Sequence, residues 1–263
     1  MKRAFSTAVF LGMHVAGLVG WVWARPSWES VGLFAVSYFA FSLGITLGYH
    51  RYLAHGSFGA ARAVSGLFVW LGCTAIQKGP LWWMSIHRYH HRHADTDEDS
   101  HSPNRGLYWA HIGWNADDRF TNGRPECTAR EERTPFVIWL DAYPWLPALL
   151  WISSLGIGGG WSAIYFGFVL SSLAVIHATC AIGSLAHAYG YRNFETTDGS
   201  RNHRWLGWFF CGEGWHNNHH HDASRANFAV RPSELDVGFW VLRGLKKLGL
   251  VELSRSRSEG YSP

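Results

Sequence analysis

Three short histidine runs set the chemistry open to this 263-residue chain: His50-Arg-Tyr-Leu-Ala-His55, His87-Arg-Tyr-His90-His91 and His216-Asn-Asn-His219-His220. The second and third share the spacing i, i+3, i+4. On a helix, positions three and four apart are neighbours, so each run would present three imidazoles on one face. The histidines of the first run stand five apart and would diverge around an α-helix. That spacing predicts that His50 ends a helix and His55 lies past a bend. Neutral imidazole is the commonest metal ligand and suits iron, zinc, copper and nickel. Eight candidate ligands exceed what one ion takes up, so two metals are the economical reading. A donor set without thiolates is not a zinc ribbon, and an oxygen-rich calcium or magnesium site is excluded by type. Most of His14, His93, His101, His111, His177, His203 and His221 are read as satisfied polar side chains.

The elements that must position these runs are apolar and long. Phe5 to Trp23 and Val31 to Tyr49 are of spanning length, as are Phe136 to Leu155 and Trp161 to Gly183. A signal peptide is a poor fit to the first, because Trp21, Trp23 and Arg25-Pro26 follow it instead of a small-residue cleavage site. The pattern predicts an all-α membrane protein. About four transmembrane helices (roughly 5–23, 31–49, 136–155 and 161–183) form two hairpins, the second turning at Gly156–Gly160. Residues 50–135 and 184–263 then make a cytoplasmic helical cap holding a His-rich two-metal site, all within one domain, 1–263. Lys2, Arg3 and the basic loops share one side, cytoplasmic by the positive-inside rule. Val64 to Ile86, broken by Gln77-Lys78-Gly79-Pro80, is expected at the interface or under protein. Glu234 to Leu250 carries a helical apolar stripe, with Ser233 as its expected N-cap and Gly249 as its stop. The 253–263 tail is expected to be disordered.

Composition agrees. Charged residues are 16% of the chain and tryptophans number 16, a residue that favours membrane–water interfaces. A mean hydropathy near zero requires a large polar portion as well. The net charge of +4 suits an anionic membrane face or acidic partners and is too weak for nucleic acid. Cys73, Cys127, Cys180 and Cys211 form no CxxC pair and are read as reduced packing residues in a reducing compartment.

HX4H, HxxHH and HxxHH, in this order and on this profile, resemble the membrane fatty acyl desaturases, and in particular the stearoyl-CoA desaturase-type (delta-9-like) branch. Supporting text includes Gly44-Ile-Thr-Leu-Gly-Tyr-His50-Arg, Thr96-Asp-Glu-Asp-Ser-His101, Arg105-Gly-Leu-Tyr-Trp-Ala-His111-Ile-Gly-Trp114 and Gly212-Glu-Gly-Trp-His216. The likeness runs from about Ser42 to Leu250. It implies two ferrous ions, dioxygen as co-substrate and desaturation of a fatty acyl chain carried on CoA, acyl carrier protein or lipid. Electrons would come from a separate protein of ferredoxin, rubredoxin or cytochrome b5 type, since no heme, flavin or nucleotide motif is present. Membrane lipid is a further partner, and a bacterial inner membrane is a better fit than an endoplasmic reticulum. The resemblance also supplies a ninth ligand, His187, in Gly183-Ser184-Leu185-Ala186-His187. The family has Asn where Gly183 stands, reaching one metal through a water. Acyl-CoA enzymes tend to have Arg-Asp where this chain has Ser85-Ile86, which weakens the case for CoA. Asp95, Asp97, Asp99, Asn217, Asn218 and Asp222 are candidates to bond ligand N–H groups, with loop solvation the competing reading. Two other functions stay open: a hydroxylase or acetylenase on the same scaffold, and a histidine-rich membrane metal transporter. Transporters place their polar ligands near the midplane of broken spans, whereas these runs lie at span ends.

Overall fold

A computed structural model describes residues 2–128 and 133–253, with side chains from residue 8 onward. Helix α1 (Lys2–Val19) is followed by a short 3-10 turn, and Ser27 then opens α2 (Trp28–Leu43) by accepting the Ser30 N–H. Without interruption α2 runs on as a π-helical segment, Gly44–Ala54. A three-residue strand, β1 (Phe58–Ala60), leads into α3 (Arg62–Thr74) and α4 (Pro80–His93), with Pro80 at the first turn of α4, where its missing N–H costs nothing. The short α5 (Leu107–His111) precedes α6 (Pro135–Ala142) and α7 (Leu146–Ile164), which passes through a second π-helical segment, Tyr165–Leu170, into α8 (Ser171–Ala188). Helices α9 (Arg204–Phe209), α10 (His216–His221) and α11 (Val237–Lys247) and strand β2 (Val251–Leu253) complete the order.

Two helices, Trp28–Ala54 and Leu146–Ala188, are long and apolar enough to cross a membrane, and Ala8–Val22 is a shorter apolar helix. The second is bent back on itself at Gly160, the one non-helical residue inside α7, with φ 62°. Its two arms touch near the bend: Trp151 Nε1 donates to Gly167 O, and Leu155 faces Gly167. The expected turn at Gly156–Gly160 is therefore present but confined to its last glycine. At the same end, Arg25 N–H bonds Ser162 Oγ, so the α1–α2 turn sits beside the α7–α8 turn.

Several expected boundaries move. The run 136–155 is two helices rather than one, because α6 stops at Ala142 and α7 starts only after Tyr143-Pro144-Trp145. Proline lacks an N–H and disfavours helix in the residue before it. The run 31–49 continues to Ala54, and 161–183 continues to Ala188. The expected helix 234–250 is shorter, and its cap is Asp236, which accepts the Phe239 N–H, not Ser233. Gly249 does end that segment, with φ 71°. Leu253 pairs with Phe58 in the small antiparallel ladder, so the tail begins ordered and the fold is not purely helical; residues 254–263 lie outside the described ones.

Val64–Ile86 is largely covered by protein, Leu67 apart, which is one of its two expected placements. Gly44 and Gly48 press directly on the α3 backbone, where a Cβ would come 2.3 Å and 2.4 Å from main-chain atoms of Gly72 and Phe68. Only glycine allows that approach. The π-helical segment is thus clamped between α3 and the cap, and ten of its eleven residues are buried.

Candidate metal centre

The clamp explains the first histidine run. A π-helix closes hydrogen bonds from residue i+5 to residue i, and His55 N–H donates to His50 O at 3.1 Å. Residues five apart then share a face, and the two rings lie 4.9 Å apart. The expectation that His50 and His55 diverge assumed α-helical pitch, and the wider turn overturns it. His87, His90 and His91 lie on α4 and His216, His219 and His220 on α10, both at the anticipated helical spacing. His187 is in the last turn of α8.

All nine histidine nitrogens fall into two groups whose ligand atoms lie within 4.8 Å of one another: His50, His55, His87, His91 and His219 in one, His90, His187, His216 and His220 in the other. The groups abut, with the rings of His91 and His220 4.3 Å apart. In the five-membered group His55 Nε2 and His87 Nε2 are 2.8 Å apart, and His50 Nε2 and His219 Nε2 are 3.0 Å apart. In the four-membered group His216 Nε2 and His187 Nε2 are 3.0 Å apart.

What turns each ring is a carboxylate in four cases. His90 Nδ1 donates to both oxygens of Asp99 at 3.0 Å, His187 Nδ1 to Asp95 Oδ2 at 3.0 Å and His220 Nδ1 to Asp198 Oδ2 at 2.8 Å. His50 Nδ1 meets Glu213 Oε2 at 2.5 Å. An ionised carboxylate only accepts, so the proton sits on Nδ1 and the Nε2 lone pair faces the group. Burial works against the acids, yet their histidines hold the Asp99 and Asp198 carboxyls far below the usual range, and Asp95 below it. Burial also favours the neutral form of six imidazoles. It pushes His90 down to about 3 against the pull of Asp99, and holds His55, His87, His91, His216 and His219 well below the ordinary value.

These groups fit a metal. His90 Nε2 and His220 Nε2 are buried with no hydrogen-bond partner, and His187 Nε2 faces only His216. An unpaired buried acceptor costs about 1–3 kcal/mol. Several such lone pairs converging without a proton to share are what a cation relieves.

Further out, Arg51 is fully buried and donates to Asp236, Ala226 O and Cys211 O at 2.8–3.1 Å, with its other partner Glu213 Oε1 at 3.4 Å. It thereby ties the acid behind His50 to the cap of α11. Trp83 stacks on His87 at 5.0 Å, and Phe228 lies 4.5 Å from His219. A cavity of about 1330 Å³ runs beside both groups, with His50, His87, His90, His216, Trp83 and Gly183 in its wall.

Of the polar candidates, Asp95 and Asp99 hold ligand rings. Asn217 and Asn218 instead fix α10 to its surroundings, Asn217 through Phe194 and Asn218 through Glu234 and Phe228 O. Asp97 is exposed, and Asp222 accepts from Ser224. The sequence reading missed Asp198 and Glu213, the second of which stands three residues before His216 in the quoted Gly-Glu-Gly-Trp text. It also missed His101, whose ring is 4.2 Å from His90 and lies against Gly183: a Cβ there would stand 3.3 Å from His101 Cγ.

The chain matches the fatty acid desaturase family over residues 26–232. It is 35% identical over 257 residues to an sn-2 palmitoyl-lipid 9-desaturase of Nostoc sp. (strain 36), covering 93% of this chain and 87% of that one. It is 35% identical over 255 residues to an sn-1 stearoyl-lipid 9-desaturase of Anabaena variabilis, covering 94% and 91%. An icosanoyl-CoA 5-desaturase of Limnanthes douglasii is 35% identical over 231 residues, 86% of this chain and 65% of that one.

Proposed function

The chain belongs to the fatty acid desaturase family, and from that premise we propose that it is a dioxygen-dependent di-iron desaturase of lipid-linked fatty acyl chains. The observation that carries the reading is the division of nine buried histidines into two adjoining groups, with carboxylates fixing the tautomer of His50, His90, His187 and His220. In this reading those nine are the ligands, five to one iron and four to the other. All-nitrogen, thiolate-free donors suit iron, whose chemistry would be the coupling of dioxygen reduction to removal of one hydrogen from each of two adjacent methylenes.

The protein's own part is to hold, aim and keep dry. Asp95, Asp99, Asp198 and Glu213 keep the imidazole lone pairs inward, and Trp83 and Phe228 pack against the five-histidine group. The cavity presents Ile45, Ile86 and Ile182 as apolar wall beside the histidines, so an extended acyl chain would bury its methylenes there while bulk water is kept from the oxidant. Lipid is favoured over CoA on two grounds. Ser85 is buried and bonded to Trp82 O and Arg124 N, leaving no charged pair at that position. Both cyanobacterial relatives are named for lipid-linked substrates.

The family is membrane-bound, and the two long apolar helices with α1 suit a multi-pass protein of four spans in two hairpins, one domain in all. The metal groups would then lie on the cytoplasmic side of a bacterial inner membrane. A separate one-electron carrier supplies the reductant. Mass spectrometry of lipids from a host expressing the chain tests the reading: a new double bond in glycerolipid acyl chains, absent with His90→Ala, is expected. Hydroxylated product alone, or metal uptake without any lipid change, contradicts it.

A further inference from the structure

Among the described residues that wall the cavity, Lys78 is the only lysine or arginine. Its ammonium lies 3.8 Å from the centroid of the Trp82 ring, and no carboxylate among the described residues stands within ion-pair distance of it. The two acids of the same wall are engaged elsewhere. Asp141 Oδ1 accepts the Leu81 and Trp82 N–H groups at 2.9 Å and 3.2 Å, and Glu213 meets His50 and Arg51. Burial pushes the Lys78 ammonium down to about 8, so it keeps its charge at neutral pH without a counter-ion to hold it higher.

The backbone meets a cost to put a lysine there. Ile76 and Lys78, in the connection from α3 to α4, are both left-handed, with φ 51° and 66°. Glycine takes that conformation freely, and residues with a Cβ do not. The turn is nevertheless held from both sides. Tyr49 Oη donates to Lys78 O at 3.2 Å, and Asp141 braces the first amides of α4 while filling the space that a Cβ at Gly79 would need. A strained residue fixed in a cavity wall points to a use for its side chain.

The surroundings of Lys78 are those of a head group. Helix α6, which carries Asp141, and the turn after it expose Trp139, Tyr143 and Trp145, and Trp70 of α3 stacks on Trp139 at 6.3 Å. Such aromatics favour the membrane–water interface, and Trp145 and Ile138 share the cavity wall with Lys78. Asn115, next to the Trp114 that stacks on Trp82 at 6.2 Å, also lines the cavity, and its side-chain amide has no hydrogen-bond partner among the described residues. From Pro80 at this end, α4 runs about 10 Å to His87, which lines the same cavity. We propose that Lys78 binds the phosphodiester of a phospholipid head group and so holds its acyl chain along the cavity beside the histidines. The inference rests on the lipid-linked reading and names the head-group class. Phosphate oxygens take charge-assisted bonds from an ammonium, whereas a glycosyl head group offers hydroxyls and no charge.

Binding read without turnover tests this. Native mass spectrometry of the iron-loaded protein in detergent scores retention of lysophosphatidylglycerol against a galactosyl monoacylglycerol with the same palmitoyl chain, with palmitoyl-CoA and inorganic phosphate scored beside them. The phospholipid should bind at least roughly tenfold more tightly than the glycolipid, about 1.4 kcal/mol. Lys78→Gln and Lys78→Gly should erase that preference, and Lys78→Arg should keep it. Lys78→Gly also relieves the left-handed backbone and should melt no lower than the unaltered protein, which separates lost binding from lost folding. If it loses iron, Lys78→Gln against Lys78→Arg decides. Equal binding of the two lipids by the unaltered chain, or a preference that survives Lys78→Gln, overturns the site. Lys78-dependent retention of palmitoyl-CoA above the phospholipid gives the cation to CoA, and displacement of the phospholipid by an equal concentration of inorganic phosphate gives it to a free anion; either result also overturns it. Lipid products are scored separately: no new double bond beside a Lys78-dependent preference refutes the desaturase reading and leaves the head-group site standing.

Discussion

The two histidine groups use one kind of side chain and are held in opposite ways. In the four-membered group, His90, His187 and His220 each lean on a carboxylate, Asp99, Asp95 and Asp198. In the five-membered group only His50 does, through Glu213, while His87 and His219 are set by aromatic neighbours, Trp83 and Phe228. More donors compensate for looser rings in the one; fewer donors, three of the four fixed and made more basic by an acid, serve in the other. Both groups border the cavity, the four-membered one at an open side. Gly183 and His101 line the cavity next to it, and glycine leaves the wall without a side chain there.

The largest effect should come from removing a ligand from either group. His187→Ala is expected to abolish product as completely as His90→Ala, at least about a hundredfold, because four donors have none to spare. Lipid analysis of matched expression hosts reads this out, and near-normal product from His187→Ala would break the nine-ligand assignment. The carboxylates come next and sharpen the contrast between the groups. Asp198→Ala should weaken iron retention by roughly 10–100-fold, in a chelator titration that leaves about one iron more firmly held. If both irons leave together, the groups do not bind independently.

Gly183→Asn is the smallest change and probes the open side. The new side chain starts 3.3 Å from the His101 ring, so that ring must move. A few-fold loss of turnover (about 1 kcal/mol in barrier) is expected, with a shifted ratio of olefin to hydroxylated product by mass spectrometry. Unchanged rate, product ratio and iron content together would remove Gly183 and His101 from the account.

Which of these features could be read from the chain follows physical lines. Six of the nine clustered histidines, in two runs, were legible because helical spacing i, i+3, i+4 is local. The pairing of His50 with His55 was not, since it depends on a π-helical pitch imposed by Gly44 and Gly48 packing on α3, a tertiary contact. Asp95 and Asp99 were legible as neighbours of the second run. Asp198, 22 residues from His220 in sequence, and Glu213, 163 residues from His50, meet their rings only through the fold. Hydropathy placed the long helices but not their ends. It cannot register the stop before Pro144, the single bend at Gly160, or the contest that Asp236 wins over Ser233 for the cap of α11. The strand pairing of Phe58 with Leu253 joins the two ends of the cap, a closure no local pattern announces.

Iron content per chain tests the central claim most directly. Protein purified anaerobically with iron supplied, and measured beside its own His216→Ala and His219→Ala variants, should carry about two irons unaltered and about one in each variant, since four or five imidazoles complete one site apiece. One metal in the unaltered chain, or zinc retained through turnover with no iron required, would contradict the two-iron account.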